Sequence, residues 1–244
     1  MVVTAETKSE PKILVRRYSG SARLNHWVVA ISFVLLLLSG LSLFHPSLYS
    51  FGATLFGGGQ NARWLHPWLG VVLTVAFFGL FLRFFPGNLP VGADFTWLKR
   101  SYEFVSGHDE FLPEIGKYNP GQKFAFWSQA VLIPMLLNTG IGLWDPMLPF
   151  FERVTGYHPT IDVRRWAAVI HATAAVLAVM IWIIHVYAAI WIRGSFDGMT
   201  RGAVTGGWGW RHHRLWLRDQ VKDPSQIIKE PSRANQEHKL EPAE

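Results

Sequence analysis

The stretch from Trp166 to Trp191, WAAVIHATAAVLAVMIWIIHVYAAIW, decides the fold. It is an apolar run long enough to cross a bilayer as one helix, and it carries two histidines, His171 and His185. At 100° per residue the fourteen steps between them fall about 40° short of four turns, so both imidazoles project from nearly one face. They stand about 21 Å apart along the axis, in a bilayer core about 30 Å thick. Imidazole is costly in hydrocarbon unless a partner holds it, and an axial bond to haem iron is one such partner. Two more histidines, His26 and His66, lie in two other apolar segments. Four such residues match the ligand number of two bis-histidine haems.

Working outward, four segments are long enough to span, at roughly 24–45, 62–86, 121–144 and 164–193. The third is the least apolar, interrupted by Gln122, Lys123, Gln129, Pro134 and Asn138. Polar residues inside a span usually face the bundle interior, so it is kept as a span. The first apolar run is too long for a signal h-region and is expected to stay in the membrane. These features predict an all-α integral membrane bundle of four transmembrane helices with a di-haem core. An even number of spans puts both termini on one side.

Basic residues choose that side. Of the 23 Lys and Arg, only Arg63, Arg153, Arg164 and Arg165 fall in the first and third connections. The rest lie in the N-terminal tail, at Arg83, in the 87–123 connection, or from Arg193 onward. By the positive-inside rule both termini and the 87–123 loop are cytoplasmic, giving a multi-pass protein of the bacterial inner membrane. Three regions are expected: a polar tail at 1–20, a membrane domain at 21–218, and a polar, disordered tail at 219–244. No internal repeat is evident. Trp64, Trp68, Trp97, Trp127, Trp144 and Trp191 sit near the predicted span ends, as an aromatic belt would place them.

Composition sets further limits. The chain is 50% hydrophobic, with 12 Trp and 17 Phe, well above an ordinary soluble domain in aromatic content. With no cysteine, the 244 residues hold no disulfide, no covalently attached haem and no thiolate-ligated cluster. The net charge of +6 does not point to nucleic acid, because the basic residues cluster beside apolar helices. Attraction to anionic membrane lipid and topology setting account for them better.

Topology also pairs the histidines by depth. His26 is just inside the cytoplasmic end of the first span, and His66 near the periplasmic start of the second. The fourth span runs inward, so His171 is nearer the periplasm and His185 nearer the cytoplasm. The pairs are therefore His26 with His185 and His66 with His171, each able to clamp one haem iron. Zinc fits less well, since no carboxylate or thiolate joins either pair. His45, at the outer end of the first span, and His108, His158, His212, His213 and His238, in loops or tail, read as ordinary histidines.

At this point the chain resembles a known family, the cytochrome b (gamma) subunit of respiratory formate dehydrogenase. The stretches that carry the resemblance are RLNHWVVAISFVLLLLSGLSLF, RWLHPWLG, GKYNPGQKFAFW, VIHATAAVLAVMIWIIHVYAAIWIRGSFDGM and WGWRHHRLW, over roughly residues 15–218. The resemblance implies two haem b groups, with His66 and His171 on the periplasmic haem and His26 and His185 on the cytoplasmic one. It also implies a quinone site, for menaquinone or ubiquinone, at the segment starting at Gly116, with Asn119, Gly121 and Gln122 as candidates. The alternative for that segment is a plain turn and helix start, which Pro and Gly also favour.

Implied partners are an iron–sulfur beta subunit and a molybdenum- or tungsten-containing alpha subunit that oxidises formate, with a trimer of heterotrimers as the assembly. Electrons would pass from the periplasmic iron–sulfur subunit through both haems to quinone. Arg23, Arg63 and Arg164 or Arg165 could pair with haem propionates, and topology anchoring explains them equally well. Rival readings are the same subunit serving a hydrogenase or another quinone-linked reductase, a haem-free membrane anchor, and a small proton-relay transporter.

Overall fold

A computed structural model describes residues 12–108 and 112–230. In chain order the elements are β1 (Lys12–Arg16), α1 (Gly20–Phe44), α2 (Pro46–Leu55) and α3 (Gly59–Phe84). Then come α4 (Gly92–Lys99), α5 (Ser101–Val105), α6 (Pro120–Leu143), α7 (Leu148–Thr155) and α8 (Ile161–Trp191). The chain closes with α9 (Ser195–Thr200), β2 (Ala203–Thr205), α10 (Gly206–His212), α11 (Arg214–Gln220) and β3 (Ile227–Glu230). These elements form two compact units, one of residues 20–90 and 120–191, the other of the described residues in 12–19, 91–119 and 192–230.

The first unit is an all-α membrane bundle. Its helices α1, α3, α6 and α8 are long and apolar enough to cross a membrane. The four lie close to the expected spans. Their outward residues are apolar too, with Ile31, Val75, Val131 and Ile183 each more than half exposed. A helix that is apolar all round is a membrane helix, because its backbone is satisfied internally and its surface meets lipid.

α1 packs along α3, and α6 along α8. Between the two histidine levels lies an apolar core of Phe33, Leu73, Phe77, Leu132, Ile133, Ala174 and Ala178. Ala174 and Ala178 are each 1% exposed. With only a methyl group at these positions, α8 can approach its neighbours closely. The Phe33 ring stacks on Trp182 at 5.8 Å.

The polar residues of α6 divide. Lys123 is buried and donates from Nζ to the Leu89 carbonyl at 3.0 Å, and Gln129 donates to the Ala178 carbonyl at 3.0 Å. Asn138, expected to face inward, is exposed, and its amide is satisfied by the Pro134 carbonyl of its own helix at 2.8 Å. A polar amide on a lipid-facing surface needs a partner within its own helix, and the Pro134 carbonyl one turn back supplies it. His45 has a structural use: its ring accepts from the Ser47 N–H and caps α2, with Pro46 in the first turn.

The second unit is organised by β1 at the centre of a three-stranded antiparallel sheet, in the order β2-β1-β3. Leu14 lies opposite Thr205 on one side and Ile228 on the other. Val15, Val204, Trp208, Trp216 and Leu217 form its core. Composition therefore misreads parts of both tails. Lys12–Arg16 is the central strand, and residues 219–230, expected to be disordered, carry the end of α11 and β3. The remainder of each expected tail lies outside the described residues. Trp97 is buried within α4 instead of standing in an interfacial belt.

Candidate haem sites

α8 supplies one histidine to each of two levels. His185 stands against His26 of α1 with ring centroids 6.3 Å apart and planes inclined by 49°. His171 stands against His66 of α3, also with centroids 6.3 Å apart, at 64°. Equal spacing at two independent places is informative. A direct N–H···N hydrogen bond of about 3 Å would draw the centroids to about 5.2 Å. Two metal–nitrogen bonds of about 2 Å, with about 1.1 Å from each nitrogen to its ring centre, span about 6.2 Å. Both pairs leave the gap that two imidazoles bonded to one metal ion would span.

The donor chemistry agrees. Buried Nδ1 of His26 has no hydrogen-bond partner among the described residues. With Nδ1 unpartnered, a bond at the other ring nitrogen is what would hold such an imidazole in an apolar setting. Among the described residues no three His, Asp or Glu side chains converge on one point, so neither pair resembles a zinc cluster. The residues present fit haem held through two histidines at each level.

The His66–His171 level carries an arrangement that the sequence reading missed. Ser39 Oγ of α1 lies 2.7 Å from His66 Nδ1, and Thr139 Oγ1 of α6 lies 2.9 Å from His171 Nδ1. Each hydroxyl is followed by a glycine against which the same histidine packs. A Cβ built on Gly40 would come within 3.2 Å of His66 Cε1, and one on Gly140 within 3.4 Å of His171 Cε1. The signal was present as two short matching runs, SGLSLF at 39–44 and TGIGLW at 139–144. No longer repeat surrounds them.

The other candidates are placed as follows. Asn119 is the residue before α6, while Gly121 and Gln122 lie in its first turn, with Gly121 exposed and the other two half-buried. Arg164 is paired with Asp145 at 2.6 Å and Arg165 with Asp162 at 3.2 Å.

In the second unit the segment before Asn119 is fastened at four successive residues. Arg218 grips the Glu114 carboxylate at 2.7 and 2.9 Å, and the Leu215 N–H donates to the Ile115 carbonyl at 3.2 Å. His213 Nδ1–H donates to the Gly116 carbonyl at 2.8 Å, and Arg17 donates to the Lys117 carbonyl at 2.6 Å. The Arg17 guanidinium sits 4.7 Å from both the Trp208 and Trp216 rings, a cation between two aromatic faces. Burial and the nearby Arg17 charge hold His213 far below its ordinary pKa, at about 2. Burial, then Arg17, also lowers Lys117.

Comparison with known proteins now decides the family. The model of the family described as prokaryotic cytochrome b561 matches residues 17–202. The chain belongs to the prokaryotic cytochrome b561 family. As a cytochrome b its cofactor is haem b. The nitrate-inducible formate dehydrogenase cytochrome b556(Fdn) subunit of Escherichia coli K12 is 38% identical over 214 residues, which is 88% of this chain and 94% of the relative. The formate dehydrogenase cytochrome b556(fdo) subunit of the same strain is 35% identical, with 84% and 93% covered. A formate dehydrogenase cytochrome b556 subunit of Haemophilus influenzae is 31% identical, with 88% and 87% covered. This cytochrome b is thus similar along most of its length to membrane subunits of formate dehydrogenases.

Proposed function

We propose that this cytochrome b is the membrane subunit of a formate dehydrogenase, holding one haem between His26 and His185 and a second between His66 and His171. The observation that carries the reading is the repeated 6.3 Å ring spacing at two levels of one helix. Bound there, haem would supply one-electron carriers at two depths, linking a periplasmic iron–sulfur subunit to quinone near the cytoplasmic side. The chain's own residues fix the spacing of the two sites, surround them with low dielectric, and keep water from the core around Phe33, Phe77 and Ala178.

Formate oxidation itself belongs to a partner, since this chain has no cysteine for a cluster. The names of the relatives support formate as the donor. The partners would be an iron–sulfur beta subunit and a molybdenum- or tungsten-containing alpha subunit. Asn119 and Gln122 would donate amide hydrogens to quinone carbonyl oxygens, and Gly121 would leave room for the ring. The fastened segment from Glu114 to Lys117 supports this role by fixing the approach to Asn119. The basic-residue distribution supports a cytoplasmic position for the segment and both termini.

The test uses the complex purified through this chain. Formate should reduce the haem α band, and hydrogen should not. Replacing Asn119 and Gln122 together by Ala should leave that reduction intact while slowing quinone turnover about 25-fold, at about fivefold for each of two hydrogen bonds. Reduction by hydrogen alone would contradict the formate reading. Unchanged quinone turnover would contradict the site.

A further inference from the structure

The hydroxyl contacts at the His66–His171 level suit a definite proton arrangement. Ser39 Oγ donates to the Leu35 carbonyl at 2.8 Å, with Leu36 O at 3.2 Å. Thr139 Oγ1 repeats the pattern on Met135 O at 2.8 Å and Leu136 O at 3.2 Å. A hydroxyl has one hydrogen, and each of these has a carbonyl of its own helix at 2.8 Å to receive it when Nδ1 carries a hydrogen. The contact to each imidazole is then made with the oxygen as acceptor and Nδ1–H as donor. This is the tautomer that the bis-histidine reading requires, with the Nε2 lone pair of both His66 and His171 available to iron. The glycine beside each hydroxyl lets the ring lie close enough for the bond to form.

We propose that Ser39 and Thr139 are positioning residues for the haem at this level, and that they make its reduction potential the lower of the two. The inference rests on the bis-histidine reading above. An Nδ1–H that donates to an oxygen pushes electron density toward Nε2 and makes the ring a stronger donor to iron. Stronger donation favours the ferric state, and two such ligands act on the same iron. At the other level, among the described residues, the buried Nδ1 of His26 has no such partner. The chain thus builds an asymmetry into its two sites, and an electron rests preferentially at the His26–His185 level. Ser39 and Thr139 come from different helices and different halves of the sequence, so two separate positions have converged on one geometry.

The test is a redox titration of the α band in the purified holo-complex, comparing wild type with Ser39→Ala, Thr139→Ala and Thr139→Ser. His171→Ala and His185→Ala assign the two waves. Each alanine variant should raise the potential of the wave lost in His171→Ala by up to about fivefold in the reduction equilibrium, the limit reached if the worth of one hydrogen bond acts on the ferric state alone. For one electron that is about 41 mV. Thr139→Ser should restore the wild-type value, and the wave lost in His185→Ala should stay in place throughout. Thr74→Val, which removes a hydroxyl bonded to the Gly70 carbonyl with no histidine contact, should move neither wave. The inference is overturned if the His66–His171 wave is the higher one, or if both alanine variants leave it unmoved while two haems remain bound. A wild-type complex with fewer than two b haems would instead overturn the underlying bis-histidine reading.

Discussion

At the scale of the residue, the chain uses histidine in two opposite ways. In the bundle, imidazoles are set in pairs at a spacing suited to one metal ion. In the second unit, His213 is a neutral strut: Nδ1–H donates to the Gly116 carbonyl, so Nε2 meets Arg17 Nη2 as an acceptor at 3.3 Å. Protonating Nε2 would set an N–H and a positive charge against the guanidinium. This gives a pH dependence with a definite sign. The folded-state pKa is depressed from 6.5 to about 2, so below pH 6.5 the unfolded chain takes up a proton that the folded chain refuses. Stability from this residue is present above pH 6.5 and falls on acidification, by at most about 1.4 kcal/mol for each pH unit. Hydrogen exchange at Leu14 and Val15, corrected for intrinsic rate, should show lost protection between pH 7.5 and 5.5 in wild type. The loss should be much smaller in His213→Asn, and equal losses in both would contradict the assignment.

The four bundle histidines could be read from sequence because imidazole in an apolar run is chemically anomalous. Ser39 and Thr139 could not. A serine or threonine in a membrane helix ordinarily bonds its own preceding turn, and these two do that as well. Only the second contact, to a ring on another helix, distinguishes them. His213 was hidden for a different reason, since its partners Gly116 and Arg17 are 97 and 196 residues away in the chain.

At the scale of the element, α8 is the shared post that faces both α1 and α3 through its two histidines. The midpoint between those histidines is Ala178, whose carbonyl accepts from Gln129 and whose methyl is buried in the core. A larger side chain there has no space to enter, and overpacking of this kind costs about 1–3 kcal/mol. Ala178→Leu should lower the thermal midpoint for haem release in detergent, followed at the Soret band. Val176→Leu, on the exposed side of α8, should leave it unchanged. Equal midpoints for both variants would contradict tight packing at Ala178. Span positions were legible because length and apolarity govern membrane helices almost alone. The strands were not, because β1, β2 and β3 are short and their pairing joins residues near 14, 204 and 228. No local pattern announces such contacts.

At the scale of the whole molecule, the sequence is divided in a way its order conceals. The bundle is built from 20–90 and 120–191, and the second unit gathers what precedes, interrupts and follows them. A reading by contiguous stretches made one membrane domain between two tails, and placed 91–119 and 192–218 inside it. The family and the membrane architecture were within reach of the sequence, since both depend on motifs and hydropathy. The fastening of Glu114–Lys117 was not, because it depends on side chains from both ends of the chain.

The central claim is that each histidine pair holds its own haem. Pyridine-haemochrome quantification with a reduced-minus-oxidised spectrum tests it on the purified complex, for wild type, His171→Ala and His185→Ala. The account predicts about two b haems for each wild-type chain and the loss of a different one in each variant. No stoichiometric haem in a folded, partner-assembled sample would contradict it, as would full haem content in either variant.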